Sequence, residues 1–94
     1  MESFNTQDKI TKVCDSIKEV LLEKNIRYGD SALNPLQIFS KFDADNSICI
    51  RLDDKLKRIS NSEDLRKNDI CDMIGYLVLL CCSKNWLDFK EFID

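Results

Sequence analysis

Apolar positions recur every three or four residues along most of this chain. Between Thr6 and Asn25, the side chains Ile10, Val13, Cys14, Ile17, Val20 and Leu21 form one stripe, while Asp15, Lys18, Glu19 and Glu23 take the other side. That spacing predicts an amphipathic helix. Asn5 or Thr6 is placed to cap it. Tyr28-Gly29-Asp30-Ser31 breaks it, because Gly29 is free to adopt a left-handed backbone. Asn34-Pro35 then reads as a cap followed by proline in a first turn, opening a short element with Leu36, Ile38, Phe39 and Phe42 as its contacts. Asp43 to Ser47 is a polar connector.

A third helix is expected from Ser47 or Ile48 to Ile59, with Leu52, Leu56 and Ile59 as its buried stripe. The alternation over Ile48 to Leu52 also suits a strand, but the stripe continues at helical spacing. Ser62, followed by Glu63 and Asp64, marks the start of a fourth helix running to about Ser83. Ile70, Met73, Ile74, Leu77, Val78, Leu79 and Leu80 make that helix apolar nearly all round, so it is expected at the centre. Trp86, Leu87, Phe89, Phe92 and Ile93 form a final amphipathic piece, either an oligomer contact or a lid on the monomer core. The expected architecture is all-α: a single domain over 1–94, a compact bundle of about four helices plus a short C-terminal amphipathic segment.

Composition narrows the chemistry. The 94 residues suffice for one small domain. Two glycines and one proline argue against a turn-rich all-β chain and against a glycine-rich phosphate loop. With no histidine, a histidine base and histidine-ligated zinc are excluded. Fourteen basic against seventeen acidic residues give a net charge of −3, which argues against binding a nucleic-acid polymer. The five cysteines, an odd number without a C-x-x-C pair, read as reduced, buried thiols of a cytoplasmic protein. The N-terminus has no apolar leader segment. The greasiest run, Ile70 to Cys82, spans only about thirteen residues and includes Asp72, too short and too polar to cross a membrane.

Two constellations carry chemistry. Arg51, Lys55 and Arg58 stand at i, i+4 and i+7 on one face of the third helix. They read either as an anion platform or as a solvated face laced with local pairs such as Asp54–Arg58. Asp69, Asp72 and Tyr76 stand at i, i+3 and i+7 on the fourth helix. Carboxylates there are costly unless the cations or a divalent metal neutralise them. The D-x-x-D spacing suits Mg²⁺, and an ion-pair network joining the two helices suits it equally. Asp15, Glu19 and Glu23 on the first helix would extend an acidic set if that face met Asp69 and Asp72. The run from Asp43 imitates a calcium loop but has Ile48 where glycine is required, so it is rejected. No nucleophile elbow, Walker motif or dinucleotide fingerprint occurs.

Three strings taken together resemble a known group. They are Glu23-Lys24-Asn25-x-x-Tyr28-Gly29-Asp30-Ser31-x-x-Asn34-Pro35-x-x-Ile38-Phe39-Ser40-Lys41, Ile50-Arg51-Leu52-Asp53-Asp54-Lys55-Leu56-x-Arg58-Ile59, and Asp69-x-x-Asp72-x-Ile74-Gly75-Tyr76-Leu77. They resemble small phage-encoded proteins of the nucleotide-modification-associated domain, a group similar to the MazG-like all-α nucleotide pyrophosphatases. The match covers roughly Leu22 to Leu80. The resemblance implies a helical, homo-oligomeric protein of the bacterial host cytoplasm that takes a nucleotide or cyclic nucleotide ligand. Its binding residues would be Lys24, Tyr28, Asp30, Ser31, Arg51, Lys55, Arg58 and Tyr76. The preferred reading is a binder with no catalytic residues that sequesters a host nucleotide signal and so counters antiviral immunity. An enzyme reading, Mg²⁺-dependent pyrophosphohydrolysis of nucleoside triphosphates, would use Asp69, Asp72 and Glu23 as metal ligands. The early E-x-x-E pair of MazG-like enzymes is absent here; Glu19 and Glu23 stand four apart. A third reading is a non-catalytic oligomeric interaction protein.

Overall fold

A computed structural model of the chain describes residues 4–35, 37 and 42–94. These residues form three α-helices, α1 (Thr6–Tyr28), α2 (Ala44–Ser60) and α3 (Lys67–Ser83), and a final 3₁₀ turn at Lys90–Phe92. No strand occurs among the described residues. The all-α expectation therefore holds, with three α-helices described where about four were expected. The short element expected from Asn34 to Phe42 falls largely outside the described residues.

α1 starts where its cap chemistry dictates. The Asn5 side chain accepts from the Asp8 backbone N–H at 2.8 Å, and the Asp8 carboxylate accepts from the Asn5 N–H at 3.3 Å. The helix ends one turn later than Asn25, at Tyr28. Gly29 then takes φ 62° and its N–H bonds back to the Asn25 carbonyl. α2 begins earlier than expected, because Asp43 caps it by accepting from the Asn46 N–H at 2.9 Å. The polar run from Asp43 thus serves as a helix start, not as a connector. α3 begins later than expected, at Lys67. Ser62 does not cap it; its hydroxyl donates to the Asp64 carbonyl within the turn.

α2 and α3 pair antiparallel, and their charges set the register. Along α2 the positions 51, 55 and 58 rise as 76, 72 and 69 fall along α3. The Arg51 guanidinium lies 5.9 Å from the Tyr76 ring centre. Lys55 meets Asp72 at 2.9 Å, and Arg58 approaches Asp69 at 3.8 Å. At the far end Lys84 meets Asp45 at 2.9 Å, and the Ser83 hydroxyl donates to the same carboxylate. Ile48 is the one fully buried apolar side chain among the described residues. The inward face of α2 is therefore Ile48, Leu52, Lys55 and Ile59. Leu56, expected inside, is 53% exposed because the Lys55–Asp72 pair occupies that level of the interface.

α3 is the helix against which both others pack. Among the described residues α1 and α2 are the helices that cover it, and Leu77 and Val78 are exposed. α1 approaches it at Gly75, where an added Cβ would stand 3.1 Å from Leu21 Cδ2. The cysteines are all free, and the expected burial is not met: Cys14, Cys49 and Cys82 are exposed, Cys71 and Cys81 intermediate. Trp86, Leu87, Phe89, Phe92 and Ile93 are all more than half exposed, so they are not a lid on the core. The molecule is looser than the compact bundle expected. Its radius of gyration is 15.6 Å, against about 12 Å for a compact domain of this length. No helix among the described residues is long and apolar enough to cross a membrane.

Two outcomes test this packing. The Ser83 hydroxyl and then the Lys84 ammonium hold the Asp45 carboxyl below its usual range, against a smaller opposing effect of burial. Lys84 is raised, chiefly by its hydrogen bond to Asp45. A lowered carboxyl stabilises the fold above its unfolded pKa and loses that contribution as pH falls through the folded value. A raised ammonium contributes below its unfolded pKa and loses it as pH rises through the folded value. The clamp is thus intact from about pH 5 to about pH 10. Thermal melts by circular dichroism should give Asp45→Asn a lower Tm than wild type at pH 7, with the two converging below about pH 4. Gly75→Val should cost about 1–3 kcal/mol in urea unfolding, because the branched side chain has to displace Leu21.

Candidate functional site

The face of α1 that touches α3 changes character along its length. Ile17, Val20 and Leu21 are half-buried, and one and two turns further on the same face carries Lys24 and Tyr28. Because α1 continues through Tyr28, that ring stands on the helix and not in the break. These residues form one wall of a cavity of about 520 Å³. Cys71, Asp72, Gly75, Tyr76 and Leu79 of α3 form its floor, Arg51 of α2 the facing wall, and Asn25, Asp30, Ser31, Ala32 and Pro35 its rim. Its volume lies within the ~300–1,000 Å³ usual for small-molecule sites.

A knot of hydrogen bonds holds the rim. Asp30 adopts φ 61°, a left-handed conformation that aspartate tolerates. One of its carboxylate oxygens accepts from the Asn25 amide at 2.9 Å and the other from the Asn34 amide at 2.8 Å. The backbone N–H groups of Leu33 and Asn34 bond to the Asp30 carbonyl at 3.3 and 3.1 Å. The Asn34 amide thereby ties the loop to Asp30.

The electrostatics of the cavity follow from which charges are already paired. Asp72 is engaged by Lys55, with side chains 29% and 15% exposed. Asp30 is engaged by two amides. Lys24 and Arg51, from two different helices, have no acidic partner among the described residues, and Arg51 rests only on the Tyr76 ring. The cavity therefore presents two free cations, two tyrosines and an apolar wall from Ile17, Val20, Leu21 and Leu79.

Of the expected binding residues, Lys24, Tyr28, Asp30, Ser31, Arg51 and Tyr76 come together here. Lys55 and Arg58 do not line the cavity. Helical geometry places the three cations on one face, but α3 offers a different partner at each level, so Lys55 is held by Asp72 and Arg58 by Asp69. Arg58 turns to Asp69 and not to Asp54. The candidate metal ligands are also separated. Glu23 pairs with Arg27 on the exposed surface of α1 at 3.5 Å. Among the described residues, no three His, Cys, Asp or Glu side chains are grouped to hold a metal ion. The acidic set imagined between α1 and α3 is not assembled because the α1 face that meets α3 is its apolar stripe.

Asp69 is 1% exposed, and neither of its oxygens has a hydrogen-bond partner. Its position in the first turn of α3 places the carboxylate at the positive end of the helix dipole, which together with Arg58 offsets part of its burial cost. A second and more open hollow of about 640 Å³ lies beside Arg58, between the end of α2 and the 61–66 turn. Lys57, Arg58 and Arg66 there face Asp54, Glu63 and Asp64, so its charges balance, and it has no aromatic wall.

Asn25, Ala32, Pro35, Cys71, Leu79 and Gly75 line the cavity without having been singled out as ligand residues. Asn25 had a readable signal, since it adjoins Lys24 on a helix whose periodicity continues to Tyr28. No protein-family model, curated protein or solved structure matches this chain.

The Lys55–Asp72 pair is the floor's support. Asp72→Asn leaves a largely buried ammonium without its counter-ion and should cost about 1–3 kcal/mol in urea unfolding. A Lys55→Met/Asp72→Leu double variant should recover most of that loss, because replacing both partners removes the unpaired charge.

Proposed function

We propose that this chain is a nucleotide-phosphate-binding protein, and that the cavity between α1 and α3 is where the ligand sits. The observation that carries this reading is the pair of free cations, Lys24 and Arg51, at a cavity whose two acids are already engaged. A phosphate would accept from the Arg51 fork and the Lys24 ammonium. A planar base would stack against Tyr28 or Tyr76 and cover the apolar wall. A sugar-phosphate with a ring system satisfies all three surfaces, whereas a simple anion leaves the apolar wall wet. The resemblance to phage nucleotide-modification-associated proteins adds the biological side of the proposal: sequestration of a host nucleotide signal, linear or cyclic, that blunts antiviral immunity. Binding without turnover is favoured over pyrophosphohydrolysis because Asp69, Asp72 and Glu23 are engaged separately, with Arg58, Lys55 and Arg27.

Titration calorimetry with nucleoside mono- and triphosphates and cyclic dinucleotides tests the reading. At least one ligand is expected to bind with unchanged affinity in EDTA and to be recovered intact after heat denaturation of the protein. Arg51→Ala and Lys24→Ala should each weaken binding by about 10- to 100-fold, the value of one charge-assisted contact. Unchanged affinity in the double variant rules out this cavity. Release of pyrophosphate with Mg²⁺ would move the assignment to the enzyme.

A further inference from the structure

The two acids at the cavity are not equivalent. Asp72 meets the Lys55 ammonium, so its charge is cancelled. The Asp30 carboxylate meets only amides: Asn25 donates to one oxygen at 2.9 Å and Asn34 to the other at 2.8 Å. No cation stands within ion-pair distance of it among the described residues. A neutral amide orients a carboxylate without removing its charge. A carboxylate offers about four acceptor positions, shared between its oxygens, so each oxygen keeps one in reserve. Asp30 is half-buried and lines the cavity. The rim therefore holds a charged, oriented pair of acceptors that the phosphate contacts do not use.

The two rings are not equivalent either. The Arg51 guanidinium lies 5.9 Å from the centre of the Tyr76 ring. Tyr28 is 65% exposed and has no cation over it among the described residues. It is therefore the ring open to a base, one turn beyond Lys24 and two residues before Asp30. A base stacked there turns its edge to Asp30 while its phosphate reaches Lys24 and Arg51. Base edges differ in what they offer a pair of acceptors. Guanine presents two neighbouring donors, N1–H and the N2 amine, which match two carboxylate oxygens. Adenine and cytosine set a ring-nitrogen acceptor beside their single amine, and uracil flanks its N–H with carbonyls. Each of these would put a lone pair against the carboxylate. Resting on the nucleotide-binding reading, we infer that Asp30 reads the base and that the ligand is a guanine nucleotide.

Titration calorimetry on the unaltered chain tests it, with the triphosphates of guanosine, inosine, xanthosine and adenosine and the cyclic dimers of guanylate and adenylate. The guanine form should bind about tenfold or more tighter than the adenine form, and than inosine, which lacks the N2 amine. Asp30→Asn supplies a second measure. Its amide would accept from N1–H and donate to the C2 carbonyl of xanthine, so the preference should pass from guanosine to xanthosine triphosphate. Loss of a mere rim support would weaken both alike. Circular dichroism checks that the variant keeps its helices; if it does not, the series on the unaltered chain decides. Equal affinity for every base, or a preference for adenine, overturns the inference. The nucleotide-binding reading then still stands if Lys24→Ala and Arg51→Ala weaken binding. An Asp30→Asn variant that keeps the guanine preference also overturns the inference, as does one that weakens guanosine and xanthosine triphosphates equally. Binding by none of these compounds overturns both.

Discussion

The antiparallel pairing of α2 with α3 is the constraint on which the rest depends, and charge sets its register more than apolar burial. Only one apolar side chain among the described residues is fully buried, so shape complementarity alone does not define how the helices slide. Each charged level has a different partner: Asp45 with Lys84, Arg51 with Tyr76, Lys55 with Asp72 and Arg58 with Asp69. A shift by one turn one way would keep both acids paired, with Arg51 and Lys55, but set Arg58 against Arg66 and break the Asp45–Lys84 clamp. The other way would set Lys55 against Tyr76 and leave Asp69 without a cation. Partly buried pairs contribute little net stability, but breaking one partner is costly, so the ladder excludes wrong registers.

The cavity follows from that register and from one missing side chain. Gly75 lets Leu21 approach α3 closely enough that α1 leans across the helix pair without covering it. Arg51 is the rung that meets a ring instead of a carboxylate, and Lys24 is carried to the same space by the last turns of α1. On α2, the paired cations Lys55 and Arg58 and the cavity-lining Arg51 therefore come from a single helical face. What separates them is whether α3 presents an acid or an aromatic ring at that level.

The loose architecture follows from how few elements pack on α3 among the described residues. With α3 packed by α1 and α2 among the described residues, many large apolar side chains of this 94-residue chain stay exposed.

Much of this was readable from residue order. Helical periodicity predicted α1, most of α2 and the greasy body of α3, and Gly29 marked the end of the first helix because a left-handed residue was needed there. The i, i+4 and i+7 spacing of the cations, with a complementary acidic spacing on α3, pointed to a charged contact between two helices. Local rules failed at boundaries where two caps competed, as with Asp43 against Ser47 and Ser62 against Arg66. Pairing could not be read at all: that Lys55 points inward while Leu56 is exposed, that Arg51 alone of three equivalent cations stays free, and that Glu23 turns to Arg27. Spacing along a helix assigns a residue to a face, but the level of the neighbouring helix that stands opposite it is decided only when the helices dock.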